Sequence, residues 1–119
     1  MKILIVDSRE IVRLGLKKIL IEVWPRVEIW EASDLNSAIE KIAYINYDLL
    51  LINTDVGGKG ELMGLIKFLL NEARIVMLTD TEDTNQEELL QFIDAGVATV
   101  IPMKGTDLMS IKNVFTHLF

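Results

Sequence analysis

The stretch Asp48–Gly58, DLLLINTDVGG, decides the fold. Its four consecutive apolar residues, Leu49 to Ile52, predict a strand that is covered on both faces. The apolar run stops at Asn53 and opens into a glycine-rich loop. In α/β proteins, the loops that follow parallel strands carry the chemistry. An amide at this place can donate and accept hydrogen bonds, but it is uncharged and a poor nucleophile. Asn53 is therefore either the remnant of a reactive site or only the polar end of a strand.

Four other β-like runs accompany this strand, and a helical pattern follows each of the five. The other runs are KILIVD, VEIWEA, RIVMLT and ATVIP. Apolar residues at helical spacing predict the five helices. These stripes are Val12, Leu16, Ile19, Leu20 and Val23; Leu35, Ala38, Ile39 and Ile42; Leu62, Leu65, Ile66 and Leu69; Leu89, Phe92 and Ile93; and Leu108, Ile111, Val114, Phe115 and Leu118.

Boundary signals agree with this alternation. Thr84 and Glu87 have capping-box spacing before the fourth helix, and Gly96 is placed to end it. Thr106 or Asp107 is expected to cap the fifth helix. The order is (βα)₅, which predicts an α/β fold: a doubly wound, five-stranded parallel sheet with helices on both faces. We expect one domain over residues 1–119, without linkers or repeats.

Composition excludes several classes of protein. The chain has 119 residues, half of them hydrophobic, so disorder is not expected. A net charge of −6 argues against nucleic-acid binding by this domain alone. Without cysteine there are no disulfides or thiolate metal sites. The sequence shows neither a membrane-length apolar run nor a signal-peptide pattern, so we expect no membrane association and a cytoplasmic location.

The predicted strand ends bring polar side chains to one edge of the sheet. Asp7 and Ser8 follow the first strand, Asn53 ends the third and is followed by Asp55, and Thr79 ends the fourth. Asp80 comes next, and Lys104 follows the fifth strand. Because the carboxyl ends of parallel strands share an edge, we expect these groups to converge.

A carboxylate, an Asx residue, a hydroxyl and an ammonium from successive strand ends resemble the receiver domain of two-component response regulators. The resemblance covers essentially the whole chain, and it is closest to the subfamily whose receivers precede a helix-turn-helix output domain. It is carried by MKILIVDSREIVRLGLKKIL, EASDLNSAIEKI, YDLLLINTDVGG, RIVMLTDTED and DAGVATVIPMK. It implies a flavodoxin-like receiver fold.

In the receiver family, an aspartate at the end of the third strand takes a phosphoryl group from a kinase phosphohistidine. An acidic pair after the first strand holds Mg²⁺, and a hydroxyl and a lysine contact the phosphoryl oxygens.

This sequence departs from the family at the nucleophile. Asn53 stands at the phosphoacceptor position and cannot form an acyl phosphate. Ser8 replaces the second acidic residue, so any Mg²⁺ bound through Asp7 and Asp55 is expected to bind weakly. The phosphoryl pocket would consist of Thr79 and Lys104.

Other positions depart too, and the site residues have plainer interpretations. Gly57 stands where the family loop usually has proline, and Val100 and Ile101 occupy the region of its aromatic switch residue. If Gly96 anchors the register, Met103 rather than Lys104 takes the lysine's place. Asn53 could be an ordinary turn residue, Ser8 an N-cap, Thr79 a polar strand end and Lys104 a solvated lysine. The basic stretch VRLGLKK and the charge run Thr81, Glu82 and Asp83 are interpreted as solvated surface.

The resemblance predicts an atypical receiver, or pseudo-receiver, that is not an enzyme and has no cofactor other than weak Mg²⁺. Its expected partners are proteins: a histidine kinase or another signalling protein, and an output domain that regulates transcription. A homodimer is expected through the fifth helix, with Met109 and Phe119, and the first, with Ile11 and Leu14. One alternative is a working phosphoacceptor, in which Asn53 replaces a natural aspartate or Asp55 takes its role. The other is a small α/β enzyme or nucleotide binder. Against it, the sequence has no G-x-x-x-x-G-K-[ST] loop and no G-x-G-x-x-G motif after the first strand.

Overall fold

A computed structural model describes residues 1–80 and 86–119, and its strands and helices alternate as predicted. The strands are β1 Lys2–Val6, β2 Glu28–Ala32, β3 Leu49–Asn53, β4 Arg74–Thr79 and β5 Thr99–Pro102. The helices are α1 Glu10–Val23, α2 Leu35–Tyr44, α3 Lys59–Leu69, α4 Gln86–Ala95 and α5 Leu108–Thr116. A short 3₁₀ turn, Thr54–Val56, follows β3.

All strand pairs in the sheet are parallel, and their order is β2-β1-β3-β4-β5. The predicted flavodoxin-like topology is confirmed. The chain moves outward from β1 to β2 and then returns to the other side of β1 with β3. Connections after β1 and β3 therefore leave in opposite directions, which opens a crevice at the carboxyl ends of these strands.

The central strand β3 is buried along its whole length, because it has a helical layer on each face. Leu50 and Ile52 belong to a core shared with α2, α3 and α4. Leu49 and Leu51 belong to a second core, shared with α1 and α5. This double burial explains why the strand appears in the sequence as an unbroken apolar run rather than as an alternating one.

Three residues of the predicted helical stripes do not lie in either core. Ile39, Ile93 and Leu108 are all exposed. Each helix packs on one sheet face only, and the buried part of its apolar stripe is narrower than the sequence pattern indicates. In α5, for example, burial is confined to Ile111 and Phe115, which are spaced by one helical turn.

Several predicted boundaries can be checked. Asp107 caps α5, its Oδ1 accepting from the Ser110 amide at 2.8 Å, whereas the Thr106 hydroxyl donates to the Pro102 carbonyl. The alternative interpretation of Ser8 as the N-cap of α1 is wrong, because Arg9 takes that position without a side-chain cap. Gly96 follows α4 with a φ of 124°, so the predicted stop is confirmed. The capping residue Thr84 and the run Thr81, Glu82 and Asp83 lie outside the described residues.

No helix within residues 1–80 and 86–119 is both long enough and apolar enough to cross a membrane.

Candidate functional site

The candidate site lies where β1, β3 and β4 end. Asp7 directly follows β1, Asn53 is the last residue of β3, and Asp80 directly follows β4. Asp7 is 0 % exposed and Asn53 is 2 % exposed, so both polar side chains lie in the protein interior. Buried polar groups must find hydrogen-bond partners, and the contacts of these two residues define the site.

The Asn53 amide links both carboxylates. Its Nδ2 donates to Asp7 Oδ2 at 3.0 Å and to Asp80 Oδ2 at 2.6 Å. Its Oδ1 accepts from the backbone amide of Asp55 at 2.9 Å. The amide therefore turns its donor group toward the acidic pocket and its oxygen toward its own loop. An aspartate in this place could not make the two donor contacts, because an ionised carboxylate only accepts hydrogen bonds.

Arg9 supplies a cation that the sequence analysis did not assign to the site. Its Nε donates to Asp7 Oδ1 and its Nη2 to Asp7 Oδ2, both at 3.1 Å. Nη2 also contacts Asp80 Oδ2 at 2.5 Å, and the Arg9 backbone amide donates to Asp7 Oδ1 at 2.9 Å. A single guanidinium thus bridges two carboxylates from different strand ends. The sequence did contain a signal for this role: Arg9 stands two positions after Asp7, close enough for its side chain to fold back onto the carboxylate.

These contacts shift the acid–base properties of the pair. Burial by itself would raise the pKa of Asp7, but hydrogen bonds from the Arg9 side chain, the Arg9 amide and Asn53 outweigh it and lower that pKa. The hydrogen bond to Asp7 in turn raises the pKa of Arg9. Both partners are therefore held in their charged forms.

The basic stretch on α1 also contributes to this edge. Arg13 Nη1 donates to the backbone carbonyl of Asp7 at 2.6 Å, and its Nε pairs with Glu31 on β2 at 3.2 Å. Lys17 Nζ lies 2.9 Å from the same carboxylate. The hydrogen bond from Lys17 is the main reason why the pKa of Glu31 is lowered. The interpretation of this stretch as a solvated face is wrong for Arg13, which anchors the end of β1.

The predicted magnesium ligands differ in their exposure and in the hydrogen bonds that their oxygens accept. Ser8 and Asp55 are exposed, whereas Asp7 is buried with both carboxylate oxygens engaged by N–H donors. Among residues 1–80 and 86–119, no group of three or more His, Cys, Asp or Glu side chains is placed to hold a metal. Mg²⁺ requires several oxygen ligands that are open to it. Both Asp7 oxygens already accept hydrogen bonds, and weak Mg²⁺ binding through Asp7 and Asp55 stays a prediction.

Thr79 and Lys104 have different surroundings. Thr79 is buried at the end of β4, paired in register with Pro102 of β5. Met103 follows β5 directly, donates its amide to the Thr79 carbonyl at 2.8 Å and packs against the α1/α5 core. Lys104 lies one residue further along the chain and is exposed. Their assignment to a phosphoryl pocket stays a prediction.

Comparison with known proteins gives structural matches only. No family model matches the sequence, and neither does any curated protein. A response regulator from Thermotoga maritima superposes with a TM-score of 0.78 at 17 % identity, covering 96 % of this chain and 92 % of its own. The isolated receiver domain of RcsB from Salmonella enterica serovar Typhimurium, in the presence of the phosphomimetic BeF₃⁻, superposes with a TM-score of 0.75 at 23 % sequence identity; the match covers 92 % of this chain and 83 % of that one. RcsB from the same organism, bound to promoter rprA in the presence of BeF₃⁻, superposes with a TM-score of 0.80 at 20 % sequence identity, and the match covers 100 % of this chain and 68 % of that one.

Proposed function

Since this chain has the fold of response-regulator receiver domains, we propose that it is a two-component signalling receiver that works without phosphorylation. The observation that carries the proposal is the Asn53 side chain, which ends β3 inside the pocket and donates hydrogen bonds to Asp7 and Asp80. In the receiver family that this sequence resembles, the corresponding side chain is the nucleophile. Here its nitrogen lone pair is delocalised and its oxygen is occupied by the Asp55 amide.

The proposed activity is binding rather than catalysis. Phosphoryl transfer requires an in-line nucleophile and cations that stabilise the charge on the transferred group. In this pocket the neutral amide of Asn53 stands where a nucleophile would be needed. The nearby cation, the Arg9 guanidinium, is already paired with the carboxylates of Asp7 and Asp80. The domain would therefore present its surfaces constitutively, in the cytoplasm, to a histidine kinase or another signalling protein and to an output domain that regulates transcription.

A homodimer through α1 and α5 belongs to the same proposal. Ile11 and Leu14 on α1 and Leu108 and Met109 on α5 are exposed apolar residues. A groove of about 280 Å³ lies between the two helices, and both Leu108 and Met109 line it. Contiguous exposed apolar surface on a small domain is typical of an interface. A symmetric pair of copies is the commonest way to cover such a surface.

Incubation with acetyl phosphate and Mg²⁺, followed by intact-mass measurement, tests the phosphorylation-independent function. The expected result is an unchanged mass, with an ordinary receiver treated in parallel as the positive control. The matched variant is Asn53→Asp, which restores the carboxylate and still lacks the acidic residue at position 8. We expect no adduct on this variant either. A phosphoryl adduct on Asp55 or Asp7 of the unmodified chain would instead support the working-phosphoacceptor alternative.

A further inference from the structure

The two carboxylates of the pocket share the same pair of nitrogen donors. Asp7 Oδ2 and Asp80 Oδ2 each accept from Asn53 Nδ2, at 3.0 and 2.6 Å, and from Arg9 Nη2, at 3.1 and 2.5 Å. The four atoms form a closed ring in which donors and acceptors alternate. Each anionic oxygen is satisfied, and the repulsion between the two carboxylates is offset by the positive charge between them.

We propose that the Arg9 guanidinium is the permanent cation of this pocket, and that it excludes divalent metal from the two carboxylates. The inference goes beyond the proposed function, because it concerns what stabilises the acidic pair rather than whether the chain is phosphorylated.

The chemistry of arginine suits this role. A guanidinium stays charged at all physiological pH values, and its planar array of N–H groups matches a carboxylate with two parallel hydrogen bonds. Arg9 makes these two bonds to Asp7 and keeps one nitrogen on Asp80. A lysine would provide the same charge as a point, without the fork that joins two carboxylates. A metal ion that bridged Asp7 and Asp80 would have to displace Arg9 from both of them.

Position and exposure also favour this role. Arg9 immediately precedes α1, and its own amide donates to Asp7, so the backbone places the side chain next to the pocket. Its side chain is 43 % exposed, compared with 1 % for Asp7. The guanidinium therefore lies on the solvent side of the Asp7 carboxylate. Removing it uncovers the carboxylates without removing any residue of the hydrophobic cores.

The test compares the unmodified chain with Arg9→Ala and with Arg13→Ala, each titrated with Mn²⁺ and with Mg²⁺. Arg13→Ala is the matched control, because Arg13 reaches the Asp7 backbone carbonyl rather than its carboxylate. Free Mn²⁺ is measured by electron paramagnetic resonance and stabilisation by the shift in melting temperature. We expect Arg9→Ala to bind Mn²⁺ roughly tenfold or more tightly than the unmodified chain, since the competing charged hydrogen bonds are gone. Arg13→Ala should show no such gain.

One result would overturn the inference: a folded Arg9→Ala variant that binds Mn²⁺ no more tightly than the unmodified chain does. If Arg9→Ala does not fold, Arg9→Lys replaces it: it keeps the charge but loses the bridge, and we expect a smaller gain than for alanine, whereas no gain would again contradict the inference. These readouts do not involve phosphate, so failure here leaves the phosphorylation-independent function untouched.

Discussion

At the residue scale, Asn53 differs from an aspartate by a single group, yet without that NH₂ group neither of its hydrogen bonds to Asp7 and Asp80 could form. The amide nitrogen donates to Asp7 and Asp80, whereas a carboxylate would confront two others. The amide thus supplies the N–H donors that the two carboxylates accept. Asn53 and Arg9 act together, because both donate hydrogen bonds that stabilise the buried carboxylate of Asp7.

We predict that Asn53→Asp destabilises the protein by about 2 kcal/mol at neutral pH. Two donor contacts would become repulsive contacts between carboxylates, in a position that is almost completely buried. Urea unfolding measures the loss. Asn36→Asp, which makes the same chemical change at an exposed position of α2, is the control and should be close to neutral. Equal stability of the two variants would show that the acidic pocket tolerates a third carboxylate.

A second residue-scale prediction concerns pH. Burial opposes ionisation of Asp7, but its hydrogen bonds from Arg9 and Asn53 prevail, so the pKa is lower in the folded state than its ordinary value of 3.8. Such a group stabilises the fold above the unfolded pKa, and this contribution disappears as pH falls through the folded pKa. The free energy of unfolding should therefore decrease below about pH 4. Asp7→Asn should have a flatter profile there, measured by urea unfolding at a series of pH values. Parallel profiles would contradict this assignment.

At the element scale, the helices depend on where the chain can turn. Gly96 ends α4 with a φ of 124°, and a Cβ atom there would lie 2.2 Å from Leu70 Cδ1. Gly64, in contrast, lies within α3, and a Cβ atom on it would meet nothing within 4 Å. Gly96 is required by its backbone conformation, whereas Gly64 only lowers the helix propensity of α3.

Replacing each glycine by alanine should therefore change stability in opposite directions. We expect Gly96→Ala to cost about 1–3 kcal/mol, because it combines a strained backbone with a steric conflict. Gly64→Ala should stabilise by about 0.5–1 kcal/mol through helix propensity. Thermal and urea unfolding of the two variants provide the measurement. If Gly64→Ala were less stable than the unmodified chain, the expectation that a Cβ atom at this position meets no other atom would be wrong.

At the scale of the whole molecule, two apolar surfaces lie on opposite faces of the sheet. The α1/α5 face exposes Ile11 by 76 % and Met109 by 66 %. On the other face, a groove of about 420 Å³ lies between α2 and α3, with Phe68 on its lining and 70 % exposed. Phe119, also expected in the dimer surface, packs with its ring 5.7 Å from that of Trp24 and beneath the Arg74 guanidinium at 4.9 Å. Part of its apolar area is therefore already used within the monomer.

The proposed dimer predicts which substitution weakens association. The double variant Ile11→Glu, Met109→Glu places charges in the α1/α5 face, and we expect its dimer dissociation constant to rise about tenfold or more. Phe68→Glu, at a similarly exposed apolar position on the other face, should leave association unchanged. Sedimentation equilibrium measures both. A monomer at high micromolar concentration for the unmodified chain would contradict the dimer, and weakening by Phe68→Glu alone would transfer the interface to the α2/α3 groove.

The sequence by itself determined the strands, the helices and their order. A doubly covered strand must be apolar throughout, as Leu49 to Ile52 are, and a helix on one sheet face must repeat its apolar residues every turn. These are periodic, local requirements, so they can be read along the chain. The same logic brought Asp7 and Asn53 to one edge, because parallel strands end together. It did not define the width of each buried stripe, and Ile39, Ile93 and Leu108 were wrongly included.

Only the tertiary structure decided how the polar groups at that edge pair with one another. Arg9 and Asp80 are 71 residues apart, and their ion pair depends on the distance and direction of two side chains from different loops. Many basic residues stand near a strand end in sequence, and the choice of partner depends on burial and on competing charges. The long arginine side chain folds back over Asp7 because burial makes an uncompensated carboxylate costly. That energy comes from the packed fold around the pocket, and no periodicity in the sequence encodes it.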